Sequence, residues 1–118
     1  MNVTDPHAVM PGPPHARTFR IVVQQQANRT LVVPYGDLDL ASAPDLEAVL
    51  VAQSGPVVVD LGQVTFADLA GLRVLLEADA RSRQDGMNLA FIAGEAVRHL
   101  FERAGRPDPL SYVDPPYT

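Results

Sequence analysis

The 118-residue chain contains no cysteine, and its nine basic residues are all arginine, so lysine is missing as well. Without thiols there are no disulfides, thiolate zinc sites or cysteine nucleophiles. Without lysine there is no phosphate-loop lysine, Schiff base or lysine general base. No apolar run approaches the roughly 18 residues of a membrane span, which excludes direct membrane insertion of a helix. Residues 1–14 carry four prolines and no hydrophobic core, unlike a secretory signal. These absences lead to the expectation of a cytoplasmic protein without metal or cofactor.

What is present is globular in kind: 47% apolar and 19% charged residues in a length that suits one domain. The net charge of −5 argues against nucleic-acid binding. The charge is unevenly spread. Residues 1–34 hold three Arg and one Asp (+2), residues 71–118 six Arg and seven acids (−1), and residues 35–70 six acids and no Arg (−6). The acidic block is Asp37, Asp39, Asp45, Glu47, Asp60 and Asp68.

Eight of the eleven prolines lie in residues 1–18 or 106–118. The first segment reads as a flexible tail and the second as an edge strand followed by a Pro-rich tail, with the domain at 19–105. Within it, residues 19–25 (FRIVVQQ) and 30–35 (TLVVPY) read as two strands of a hairpin, with Pro34 limiting how far the second can pair. Ser42, Pro44 and Asp45 form a helix start, with Ser42 expected as N-cap and Leu46, Val49 and Leu50 as the apolar face. Residues 56–61 (PVVVDL) are a strand covered on both faces. Asp68 caps a second helix running to about Gln84, with Leu72, Leu75, Leu76 and Ala80 inward, Arg73–Glu77, Glu77–Arg81 and Asp79–Arg83 on its wet side, and Gly86 as its stop. A strand at 88–93 and a helix carrying Val97, Leu100, Phe101 and Ala104 follow, and Ser111, Tyr112 and Val113 suit a last edge strand. The fold class is α/β: one small domain with a mixed, mostly parallel sheet of four to five strands and three to four helices.

Right-handed crossovers bring the carboxyl ends of parallel strands to one sheet edge, so Asp37, Asp39 and Asp68 are expected to converge there. Asp68 has a capping role, while Asp37 and Asp39 have no evident local one, which suggests a partner surface. Magnesium on these three carboxylates is the weaker alternative. Ser42, Ser54, Ser82 and Ser111 lack a readable His and acid, and His99, between Glu95 and Arg103, reads as a surface residue, so no catalytic constellation is apparent.

Gly36-Asp37-Leu38-Asp39, Val57-Val58-Val59-Asp60-Leu61, and Val64-Thr65-Phe66-Ala67-Asp68-Leu69-Ala70-Gly71-Leu72 resemble, in that order, the STAS family of anti-sigma factor antagonists, over residues 19–105. The resemblance implies a small mixed sheet wound with helices. It also implies a partner that is both anti-sigma factor and serine kinase, with a histidine-kinase-like ATP fold. In the family, the position of Leu69 is usually a phosphorylated hydroxyl residue, and its phosphate abolishes binding. Leu69 and Ala70 cannot accept phosphate, so the resemblance implies the binding scaffold without the switch. The contact residues it implies are Asp37, Asp39, Asp68, Leu69, Ala70 and Gly71. Thr65, the nearest hydroxyl, falls in what is expected to be a strand-to-helix loop and is a poor substitute acceptor. Leu69 either folds onto the core or stands out as an apolar knob ringed by carboxylates. Two other roles remain open: an accessory subunit docked on the ATPase of an ABC-type lipid or solute transporter, and a small-ligand sensor. The last helix of many family members is reduced, which leaves apolar surface from Leu110 to Val113 for the tail or a second copy to cover.

Overall fold

The computed structural model describes residues 19–113. The expected tails, 1–18 and the end of the chain from 114, lie outside them. The described elements are β1 (Arg20–Gln25), β2 (Thr30–Leu38), α1 (Ala43–Ala52), β3 (Val57–Asp60), β4 (Val64–Ala67), α2 (Leu69–Asp85), β5 (Leu89–Ile92) and α3 (Glu95–Ala104), with one 3₁₀ turn, Leu61–Gln63, between β3 and β4. The sheet runs β1-β2-β3-β5, with β4 paired to the far end of β2. Only β1–β2 is antiparallel, and the remaining pairs are parallel. The α/β reading therefore holds, with five strands and three helices among the described residues.

The sheet carries a core on each face. Val32, Val59, Phe91 and Leu38 face the buried sides of all three helices, including Leu46, Leu75, Val97 and Phe101. On the opposite face Leu31, Val33, Val58 and Ile92 form a second cluster to which no described helix contributes. Burial on both faces accounts for the apolar run of Val57, Val58 and Val59, and Asp60, which ends β3, is buried as well.

β4 is a strand that periodicity did not mark. Thr65 therefore lies in a strand, where it was expected in a loop. β2 is nine residues long and outlasts β3, whose pairing with it covers only Thr30, Leu31 and Val32. The 3₁₀ turn, capped by the Asp60 side chain on Gly62 N–H (2.9 Å), brings the chain back as β4 alongside Gly36, Asp37 and Leu38. Pro34 sits between these two stretches. Its missing N–H faces the β3/β4 side, but in the gap between the two pairings, so β2 passes through the proline unbroken.

α2 is capped as expected: Asp68 accepts from Gly71 N–H (3.1 Å), and Gly86 ends the helix in the left-handed region at φ 69°. Two details differ from the sequence reading. Ala80 is exposed, and Ala78 and Val74 take the inward places. Asp79 is buried rather than on the wet side. It pairs with Arg83 at 3.0 Å, and the same guanidinium donates to Pro109 C=O (3.2 Å). That link holds the C-terminal segment against α2. Leu110 enters the main core, and Tyr112 bridges Phe91 on β5. Burial, then the hydrogen bond and charge of Asp108, push the Tyr112 phenol well above its ordinary value. Among the described residues no helix is long and apolar enough to cross a membrane.

Candidate functional site

The end of β2 and the start of α2 are held together through the backbone. Leu38 pairs with Ala67, and Asp68 N–H donates to Leu38 C=O (3.2 Å). Gly71 permits this approach, since a Cβ there would stand 2.4 Å from the Leu38 carbonyl oxygen. Gly94 does the same for α3, where a Cβ would meet the Leu61 carbonyl oxygen at 2.0 Å. Residues 37–40 and 66–71 thus form one edge, as the topology argument required.

The acidic residues there have local structural roles, contrary to the expectation for Asp37 and Asp39. Asp37 is buried, and its carboxylate accepts from the Thr65 hydroxyl at 2.7 Å. Asp39 accepts from Ala41 N–H (3.0 Å) and Ser42 N–H (3.1 Å), capping a turn that leads into α1. Ser42 was expected to cap α1 and does not. Its backbone is already helical (φ −95°, ψ −18°), so its hydroxyl turns back, donating to Asp37 C=O (2.7 Å) and accepting from Asp39 N–H (2.9 Å). Asp45 remains exposed in the first turn of α1, and with Asp37 and Asp39 it lines a cleft of about 300 Å³ that Asp68 does not reach. Among the described residues no group of three or more potential ligands is arranged to hold a metal ion.

Ser42 is therefore the brace of this edge. Removing its buried hydroxyl takes away the bond to Asp37 C=O and the acceptor of Asp39 N–H, and Ser42→Ala is expected to cost about 2 kcal/mol. Urea denaturation of the pair measures it, and a difference below about 0.5 kcal/mol would mean that water replaces the hydroxyl without loss.

Leu69, the first residue of α2, is 67% exposed and does not fold onto the core. Ala70 is half-buried and Gly71 buried beneath it. Sequence reasoning missed two companions, Leu40 (76% exposed) and Phe66 (48%). The signal for Leu40 was present: a large apolar residue between Asp39 and Ala41 in a turn has no core to enter. The edge thus presents three large apolar side chains beside Asp39 and Asp68, an apolar surface with an acidic rim. His99 is exposed, as read, on a separate cleft it shares with Thr65 and Glu95.

A family model described as "Mlab, STAS domain" matches residues 21–108. The chain belongs to the STAS family. Solved structures carry the same fold. An anti-sigma factor antagonist from Mycobacterium paratuberculosis is 24% identical, with a TM-score of 0.58 over 79% of this chain and 81% of that one. The antagonist SpoIIAA in its unphosphorylated form is 12% identical, with a TM-score of 0.60 over 83% and 89%. The STAS fold also occurs as part of longer chains. Murine Slc26a9, an anion transporter, is 17% identical with a TM-score of 0.54, covering 70% of this chain and 14% of that one. This chain likewise spans only 19% of Mglu. At these identities the likeness is one of fold. No curated protein matches the chain in sequence.

Proposed function

We propose that this STAS domain is a non-catalytic protein-binding regulator of the anti-sigma factor antagonist type, working in the cytoplasm. Its partner is an anti-sigma factor that is also a serine kinase with a histidine-kinase-like ATP fold, and its contact residues are Asp37, Asp39, Asp68, Leu69, Ala70 and Gly71. The observation that carries this reading is the side chain of Leu69. It stands exposed at the start of α2, at the position for which the family resemblance implies a phosphorylated hydroxyl. A leucine there cannot be phosphorylated, and it adds apolar contact where phosphate would add close to two negative charges. Binding would then be permanent with respect to that kinase. Thr65 is no replacement, because its hydroxyl is already committed to the Asp37 carboxylate and a phosphate there would be forced against that charge.

Incubation with a purified kinase-type anti-sigma factor and labelled ATP tests this. The parent is expected to bind without taking up label, and Leu69→Ser to become labelled at residue 69. Phosphate on Thr65 of the parent would contradict the loss of the switch.

A second reading is an accessory subunit of an ABC-type lipid or solute transporter, with which the fold's occurrence inside an anion transporter chain is compatible. In that reading the domain docks on a transporter ATPase through the same edge.

A further inference from the structure

β1 is the end strand of the sheet. At the other end β5 is covered by the chain itself. Phe91 N–H donates to Ser111 C=O (2.8 Å), and Val113 N–H donates to Phe91 C=O (2.8 Å). No described strand does this for β1.

Which groups β1 offers follows from its hairpin. Gln26 N–H donates to Arg29 C=O at 2.8 Å, which makes 26 and 29 a hydrogen-bonded pair. Such pairs alternate along an antiparallel ladder. In the register Arg20↔Tyr35 to Gln25↔Thr30, residues 20, 22 and 24 therefore turn their backbone groups toward β2, and Ile21, Val23 and Gln25 turn theirs outward. Natural edge strands are guarded by lysine, proline, bulges or inward charges. β1 has none of these. Its one charged residue, Arg20, is held 4.1 Å over the Tyr35 ring, and Val23 is 43% exposed.

We infer that two copies of this chain associate through β1, antiparallel, about a two-fold axis that passes Val23 perpendicular to the sheet. This register sets Val23 against Val23 and Ile21 against Gln25, so every outward N–H and C=O of the three residues is paired. Val22 meets Gln24 and Arg20 meets Gln26, so no like charges are opposed. Centring on Val22 instead sets Gln25 against Phe19, which lies outside the strand. A slip by one residue sets outward groups against inward ones and forms no ladder. Because β5 is already covered, the assembly closes at two copies. The contact shares no residue with the edge of Leu40, Phe66 and Leu69, so it is independent of the partner reading.

Sedimentation equilibrium on the full chain tests it, with circular dichroism to verify folding. The parent is expected at twice the monomer mass, and Val23→Thr likewise. Val23→Lys places two ammonium groups on the axis and should weaken association about a hundredfold or more. The chain has no cysteine of its own, so a Val22→Cys, Gln24→Cys variant gives a second reading. These two positions face each other across the axis within disulfide reach, and mild oxidation should yield a covalent dimer. Three results would overturn the inference: a parent monomeric at about 100 µM, a dimer indifferent to Val23→Lys with no cross-link in the cysteine variant, or a monomeric parent that dimerises once residues 1–18 are removed. The last would mean that the chain's own N-terminal segment occupies the edge.

Discussion

Gly71→Ala is expected to lower the melting temperature by roughly 10 °C, although alanine is the better helix former by about 1 kcal/mol. The residue lies in the first turn of α2, where the helix passes over the end of β2. An added Cβ would stand 2.4 Å from the Leu38 carbonyl oxygen and 2.6 Å from Leu38 Cγ. Leu38 is fully buried in the main core and cannot move aside cheaply. The helix start must therefore retreat, at an overpacking cost of about 3 kcal/mol that outweighs the gain in propensity. The same retreat strains the Asp68 cap on Gly71 N–H and displaces Leu69, so binding should weaken along with stability. Thermal unfolding of the two proteins decides the matter. An unchanged or higher melting temperature would show that the approach of α2 to β2 is not tight.

What the sequence made legible, and what it did not, follows from how local each signal is. The Asp68 cap and the Gly86 stop depend on neighbouring residues alone, and both were readable. β4 was not, because four residues between a 3₁₀ turn and a helix carry too little alternation, and they are extended only because β2 has an unpaired far end. Ser42 was spaced as an N-cap, yet a cap also needs an extended backbone, and Asp39 had already taken the turn before it. Leu69 shares a helical stripe with Leu72 and Leu76, so periodicity allowed it to be core. One turn before Leu72, at the helix start, that stripe reaches solvent. The convergence of 37–40 with 66–71 was legible from topology, but the roles of Asp37 and Asp39 were not, because Thr65 and Ser42 reach them only in the folded chain.

Leu69→Asp is the substitution with the largest expected effect on binding. An exposed leucine on an apolar contact edge becomes a buried anchor in a complex, and losing such an anchor costs about 2 kcal/mol or more, roughly 30-fold in affinity. The new carboxylate would also be desolvated beside Asp68, which raises the loss further. Stability should not fall. Leu69 is 67% exposed, so little apolar burial is lost. A negative charge in the first turn of a helix is favourable by about 0.3–1 kcal/mol. Lost binding in a variant that melts at or above the parent's temperature cannot be attributed to unfolding. Equal affinity for a purified partner in parent and variant would remove Leu69 from the contact.

The most direct test of the central claim, that this edge of a STAS domain docks a kinase-type anti-sigma factor without a phosphate switch, is affinity capture from native cells. The tagged parent and Leu69→Asp are compared by mass spectrometry over both cytosol and membranes. The expected result is an anti-sigma factor with a histidine-kinase-like ATP fold on the parent, present whether or not ATP is added and absent from the variant. A transporter ATPase in its place, or the same proteins on parent and variant alike, would contradict the claim.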